Sequence, residues 1–210
     1  MRELRPGVCH WQARHPDWEP GEPWDPNVSS YAVDDGERLL LFDPLAVPNE
    51  LEERARERET VIVLTAPWHE RDAQKLVERL GAPVFSQPPD SAQYLMDTYG
   101  ITAEQAGEGS PDIRWLRDED KTGLPKGIEM FPGHKPNDVV YWLEDQRAVV
   151  AGDTLGDFGN GLQINERWLR NVTREEVAAG LRPLLDLPVE LVLPAHGVPT
   201  DRAALERAVA

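Results

Sequence analysis

Only five histidines occur in the 210-residue chain, and three of them occupy comparable places. His69 follows the apolar run 60–65, His134 follows 127–131, His196 follows 189–193, and Asp153 follows 147–151 in the same way. Runs of this length read as strands, and the short loops at strand ends are where rigid backbone delivers functional groups to one rim of a sheet. Four such deliveries could converge. Imidazole and carboxylate together suit Zn²⁺ and related divalent ions, and a metal-bound water can become hydroxide near neutral pH, a hydrolytic nucleophile. One isolated histidine beside a strand reads as a structural, hydrogen-bonded side chain; the ordered set is what points to a site.

Competing chemistries find little support. The chain holds no G-x-S-x-G elbow, Walker loop or G-x-G-x-x-G motif, and Gly156-Asp-Phe-Gly159 lacks a strand-to-helix context. Cys9 is the only cysteine, which excludes an internal disulfide framework, and its neighbours His10 and His15 lack the paired spacing of a structural zinc motif. A formal net charge of −16 opposes a phosphate backbone, so no nucleic-acid partner is expected. No apolar run approaches the roughly 20 residues that span a bilayer, so no membrane partner is expected either. The opening Met1-Arg-Glu-Leu-Arg-Pro-Gly has no apolar core of a signal peptide, and the expected location is cytoplasmic.

The elements that must position these groups alternate strand and helix. Ser29–Val33 and Arg38–Phe42 read as a hairpin, Glu50–Glu59 as a charged helix, and Thr60–Thr65 as a central strand apolar on both faces. The loop 66–70 leads into a helix from about Arg71 to Leu80, closed by Gly81. Three strands follow over 127–131, 138–143 and 147–151. Thr173-Arg-Glu-Glu176 is a capping box opening a helix that Pro183 shortens or bends, Glu190–Leu193 is a buried strand, and Thr200 is the expected cap of a terminal helix. Length and pattern indicate one domain over 1–210, of layered α/β (α+β) class. Residues 1–28 are expected to be a Trp- and Pro-rich arm laid over it, with Trp11, Trp18 and Trp24 as packing anchors, and 87–126 a weakly patterned insertion. Glu70 and Arg71 read as a solvated first-turn pair, and the Asn165–Trp168 region borders the cleft without an assigned role.

Several pieces, in order, resemble the metallo-β-lactamase fold superfamily from about Ser29 to the C-terminus. Asp43-Pro44 resembles its early Asp-Pro turn, and Leu64-Thr65 the entry to its main metal loop. Phe131-Pro-Gly-His134-Lys-Pro-Asn-Asp resembles its Pro-Gly-His-Thr-Pro-Gly-Ser segment, Gly152-Asp153-Thr-Leu its Gly-Asp-Thr-Leu, and Pro194-Ala-His196-Gly its Pro-Gly-His-Gly. The resemblance implies a four-layer αββα sandwich with a metal site along one edge. It also implies hydrolysis of an ester, thioester, lactone, amide or phosphodiester of a small molecule through metal-bound hydroxide.

The family's His-x-His-x-Asp-His loop is reduced here to Thr65-Ala-Pro-Trp-His69-Glu-Arg-Asp72. With His69 on the second histidine, Arg71 stands for the Asp, Asp72 for the last His, and the first His has no counterpart. The resemblance then implies a reduced site of His134, Asp153 and His196 with His69 and Asp72 added. It would hold one divalent ion rather than two, zinc by preference, with manganese or iron acceptable to the same donors. Asp72 or Asp153 would take the proton from the attacking water, and Arg71, a permanent cation, would hold an anionic substrate or developing oxyanion. A second reading stays open, in which a non-catalytic or divergent protein of this fold binds a ligand or partner in the cleft and Arg71 fills space left by a metal. The sequence assigns no oligomeric state.

Overall fold

The computed structural model describes residues 1–210. Six strands form the first sheet in chain order: β1 (Arg2–Arg5), β2 (Val8–Arg14), β3 (Asn27–Asp34), β4 (Arg38–Phe42), β5 (Glu59–Val63) and β6 (Val84–Phe85). The first four run antiparallel, whereas β4, β5 and β6 are parallel, as crossovers through α1 (Asn49–Glu57) and α2 (Ala73–Leu80) require. The long connection that follows carries α3 (Ala92–Tyr99) and the short α4 (Ala103–Ala106). The chain then runs through β7 (Ile128–Pro132), β8 (Val139–Leu143) and β9 (Ala148–Gly152), a separate hairpin of β10 (Leu155–Asp157) and β11 (Leu162–Ile164), and α5 (Arg174–Leu181). It ends with β12 (Leu191–Pro194), β13 (Thr200–Asp201) and α6 (Arg202–Val209). The second sheet has the order β13-β12-β9-β8-β7.

Strand periodicity explains the layering. Successive side chains of a strand point to opposite faces, so Leu40 and Phe42 of β4 join Val61, Val63, Tyr141, Val150 and Leu193 in a core between the two sheets. Leu39 and Leu41 face the other way, onto Leu51 of α1 and Leu76 of α2. On the far side, Val140, Trp142, Val149 and Val192 pack against Val177 and Leu181 of α5 and Leu205 of α6. The result is the expected αββα sandwich. Strands buried on both faces, such as Val139–Leu143 and Ala148–Gly152, are what such cover demands.

Register brings the loops together at one rim. Phe42 pairs with Val63, so Asp43 and Thr65 leave the first sheet side by side. Pro194 pairs with Gly152 across parallel β12 and β9, so Asp153 and His196 emerge level from the second. Gly152 adopts φ +53°, and a Cβ there would crowd the Thr65 hydroxyl; glycine allows the sheets' rims to meet.

Three elements differ from the sequence expectation. Residues 2–14 are two regular strands that extend the first sheet, because Trp11 buries its ring and donates its indole N–H to Leu45 O at 2.7 Å. Only the proline-rich stretch that follows is an irregular loop. The hairpin β10–β11 was not anticipated, since its glycines and polar residues carry no strand periodicity. The cap of α6 is Asp201 rather than Thr200, accepting from Ala204 N–H at 3.0 Å. The capping box at Thr173 and Glu176 is present, and Pro183 converts the end of α5 to a 3₁₀ turn. No helix is long and apolar enough to cross a membrane.

Candidate functional site

Asp43 leaves β4 in a left-handed conformation, φ +45°, uncommon for a non-glycine residue. The fold holds it there through Thr65: its Oδ1 accepts the Thr65 N–H at 2.8 Å and its Oδ2 the Thr65 hydroxyl at 2.6 Å. Oδ2 also lies 3.0 Å from His69 Nδ1. A 3₁₀ turn over Pro67–His69 swings the imidazole inward, and its Nε2 reaches to 3.1 Å from Asp153 Oδ1. His196 Nε2 is 3.3 Å from the same oxygen. The other Asp153 oxygen accepts the indole N–H of Trp68 at 2.9 Å.

His134 is fixed in a parallel manner. Its Nδ1 lies 2.5 Å from Asp138 Oδ2, which also accepts the Thr154 hydroxyl, and Asp138 is fully buried. A Cβ at Gly133 would collide with the Asp138 carbonyl and the Thr154 hydroxyl, so glycine is what lets this loop close. Two aromatic rings tie His134 to the rest. Trp168 packs 6.3 Å from the His134 ring and 5.2 Å from His196, and Trp68 packs 6.4 Å from His134 and 6.1 Å from His69.

Electrostatics bind the group into one unit. Burial works against a charged His69, but Asp153 and Asp43 on either side outweigh it and raise its pKa to about 10. Burial likewise opposes ionisation of Asp153, and His69 with His196 overcomes it, holding that carboxyl well below the usual range. Burial lowers the pKa of His15, which the proline-rich loop brings to the same cleft beside Trp24.

Arg71 is also at the site, but not as a solvated partner of Glu70. With φ +41° it turns inward, and Nη1 donates to Ser29 O at 2.8 Å, Asp43 O at 2.7 Å and Ser30 Oγ at 3.2 Å. Glu70 points elsewhere, accepting the Trp115 indole N–H at 2.5 Å and the Ile113 N–H at 3.0 Å. Asp72, expected among the ligands and as a proton acceptor, is not brought to the Asp153 group. The 3₁₀ turn places it at the head of α2, where its carboxylate accepts Ala46 N–H and pairs with Lys75. His69, Asp153 and His196 thus meet directly, His134 adjoins them through the tryptophans, and Asp72 lies apart.

Sequence reasoning did not identify Asp43 and Asp138 as partners of His69 and His134, or Trp68 as a support for Asp153. The spacing of His134 and Asp138 by four residues carries a signal, as does the quoted Asp43-Pro44; Trp68 carries none. A cleft of about 260 Å³ lies over His69, Asp153 and His196, and Trp24, Trp68, Trp168 and Arg71 line it with them.

No three or more His, Cys, Asp or Glu side chains stand together as a group that could hold a metal ion. Imidazole and carboxylate are nevertheless the donor types that divalent ions take. Asp153 Oδ1 is buried and receives no well-directed hydrogen bond, although two imidazole nitrogens approach it. Carboxylates on the Nδ1 side of His69 and His134 are the usual outer support of ligating imidazoles.

No protein-family model matches the sequence, and no curated protein does. Among solved structures, the chain is similar to BLEG-1, a B3 metallo-β-lactamase, at 20% identity and TM-score 0.57, over 93% of this chain and 95% of that one. It is similar to TTHA1429, a metallo-β-lactamase family protein from Thermus thermophilus, at 18% identity and TM-score 0.61, covering 98% and 78%. TTHA1623 in a di-iron-bound form shares 23% identity with TM-score 0.56, covering 94% and 98%.

Proposed function

We propose that this chain, which has the metallo-β-lactamase fold, is a metal-dependent hydrolase acting in the cytoplasm on a small molecule. The bond cleaved is an ester, thioester, lactone, amide or phosphodiester. The observation that carries this reading is the buried Asp153 Oδ1, 3.1 Å from His69 Nε2 and 3.3 Å from His196 Nε2 with no directed hydrogen bond of its own. His69, Asp153 and His196 would hold one ion, zinc by preference, with His134 as the adjoining imidazole; the di-iron-bound neighbour supports iron as an alternative. When bound, the ion supplies Lewis acidity and an activated water.

The chain's own residues prepare that chemistry. Asp43 and Asp138 each face an Nδ1, which favours a proton there, and His69 would have to give up the Nε2 proton it directs at Asp153 before that nitrogen could hold an ion. Trp68 anchors one Asp153 oxygen, so the carboxylate cannot rotate away, and Asp153 is the acid beside the cleft placed to receive a proton from water. Trp24 and Trp168 supply apolar surface along the cleft.

One observation favours the second reading, a non-catalytic ligand-binding protein: Asp43, His69 and Asp153 already form a self-sufficient ion-paired chain. Zinc titration of chelator-treated protein, followed by a panel of ester, thioester, lactone, amide and phosphodiester substrates, separates the two. Zinc-dependent turnover lost in His196→Ala supports the hydrolase; folded protein that ignores zinc in both binding and melting supports the binder.

A further inference from the structure

His69 and His134 each have a carboxylate at Nδ1, but His196 has none: its Nδ1 is buried without a partner. The ring is packed instead by Trp24 at 5.3 Å, Phe158 at 5.6 Å and Trp168 at 5.2 Å between centroids. Apolar packing is non-directional and does not by itself fix which way an imidazole faces. The orientation of His196 therefore has to come from the backbone that carries it.

That backbone is held at every carbonyl from Pro194 to Gly197. Pro194 O accepts the Tyr31 hydroxyl at 2.7 Å, Ala195 O the Ser29 N–H at 2.8 Å, and His196 O the Asp157 N–H at 3.0 Å. Gly197 O accepts both the Ser29 hydroxyl at 2.8 Å and the Gln12 amide at 3.0 Å. Ser29 thus brackets His196, with its N–H on the residue before and its hydroxyl on the residue after. Strand register accounts for this: Ser29 pairs with Gln12 and Tyr31 with His10, so alternation puts all four on the face that Tyr31 turns toward Leu193 of β12. A hydroxyl carries one proton. With that proton on Gly197 O, His10 Nε2 faces the Ser29 oxygen at 2.9 Å as a donor and holds the hydroxyl in this direction. Arg71 Nη1 in turn holds the Ser29 carbonyl at 2.8 Å, and the residue is 1% exposed.

We infer that Ser29 is the positioning residue of His196, its two bonds to the flanking backbone taking the place of the Nδ1 carboxylate that His69 and His134 have. Its functional meaning rests on the hydrolase reading, in which His196 is a donor to the ion; the positioning itself belongs to the metal-free chain. Strands β2 and β3 carry none of the donor residues, and through Ser29 they enter the site as its support.

The test is carbethoxylation by diethylpyrocarbonate, with peptide mapping by mass spectrometry to read each histidine separately. His134, which Asp138 holds, is the internal reference. In chelator-treated Ser29→Ala, His196 is expected to react roughly fivefold faster relative to His134 than in the unaltered protein, the factor that one such hydrogen bond carries. Thr60→Val removes a buried hydroxyl bonded to Ala55 O at the far end of the first sheet, and should lower stability without changing the ratio. An unchanged ratio in Ser29→Ala would overturn the inference, as would equal acceleration of both histidines or the same change in Thr60→Val. If Ser29→Ala does not fold by circular dichroism, hydrogen exchange of the unaltered protein decides. The Ser29 N–H must then exchange as slowly as the amides of β8, and exchange at loop rates would overturn the inference. Zinc affinity of the same variants is read separately, with a loss of about 10–100-fold expected in Ser29→Ala. Unchanged affinity in a protein that does bind zinc would count against the positioning role, whereas an unaltered protein that takes up no zinc removes the hydrolase reading and leaves the histidine mapping to decide alone.

Discussion

Trp68 donates its indole N–H to Asp153 across 85 positions of sequence, and the bond joins the rims of the two sheets at 2.9 Å. Trp68 comes from the loop after β5, Asp153 from the loop after β9. The ring of the same tryptophan carries Lys135 at 4.1 Å over its face. One side chain therefore fixes the central carboxylate and links it to the loop that carries His134.

Trp68→Phe keeps the ring and removes the donor. Hydrogen bonds to charged groups contribute about 1.5–3 kcal/mol, and Asp153 is buried. Denaturant unfolding should show a loss in that range, together with weaker zinc binding from the freed carboxylate.

Lys135 and Asp90 form a nearly buried ion pair at 2.9 Å, and Asn137 donates to the other Asp90 oxygen at 2.8 Å. Lys135→Met leaves Asp90 uncompensated, and breaking such a pair costs about 3–5 kcal/mol when fully buried. The cost should fall locally on the connection that carries α3 and α4. Limited proteolysis is expected to cut between 88 and 114 faster in the variant, with the two sheets still protected.

Gly133→Ala tests the tightness of the His134 loop. The added Cβ meets backbone at Asp138 and the Thr154 hydroxyl, neither of which can retreat without disturbing His134. Overpacking of this kind costs about 1–3 kcal/mol, and thermal unfolding of the variant should show a lower midpoint than that of the unaltered protein.

His10 sets a pH dependence away from the site. Burial, with Arg2 and the terminal ammonium adding to it, lowers its pKa to about 4, and the ring bonds Ser29 Oγ at 2.9 Å. Unfolded, it titrates near 6.5, so between those values the unfolded chain binds the proton and the folded chain does not. Its neutral form is fully accommodated above pH 6.5, and stability falls as pH drops from there toward 4, by roughly 2–3 kcal/mol. Unfolding of His10→Gln across this range should show that much less pH dependence.

How much of this could be read in the sequence depends on what each signal measures. The runs at 60–65, 138–143 and 147–151 announce strands covered on both faces because continuous apolar sequence has no other stable use, and the layers followed from them. The loop positions of His69, Asp153 and His196 were legible for the same reason, since strand ends define a rim. Asp72 was ambiguous, since an acid before a helix is a routine terminal residue as well as a ligand; its carboxylate accepts Ala46 N–H and pairs with Lys75, and makes no cap bond to α2. Arg71 looked solvated because charge in a sequence says nothing of burial; its left-handed backbone turns it inward. The strand of Val8–Arg14 was hidden by the proline-rich stretch after it.

Inductively coupled plasma mass spectrometry of the unaltered protein and of the Asp153→Ala, His196→Ala double variant, each equilibrated with zinc and gel-filtered, tests the central claim most directly. About one ion per folded chain, absent from the variant, is the expected result. A folded, metal-free unaltered protein, or equal zinc in both, would contradict it.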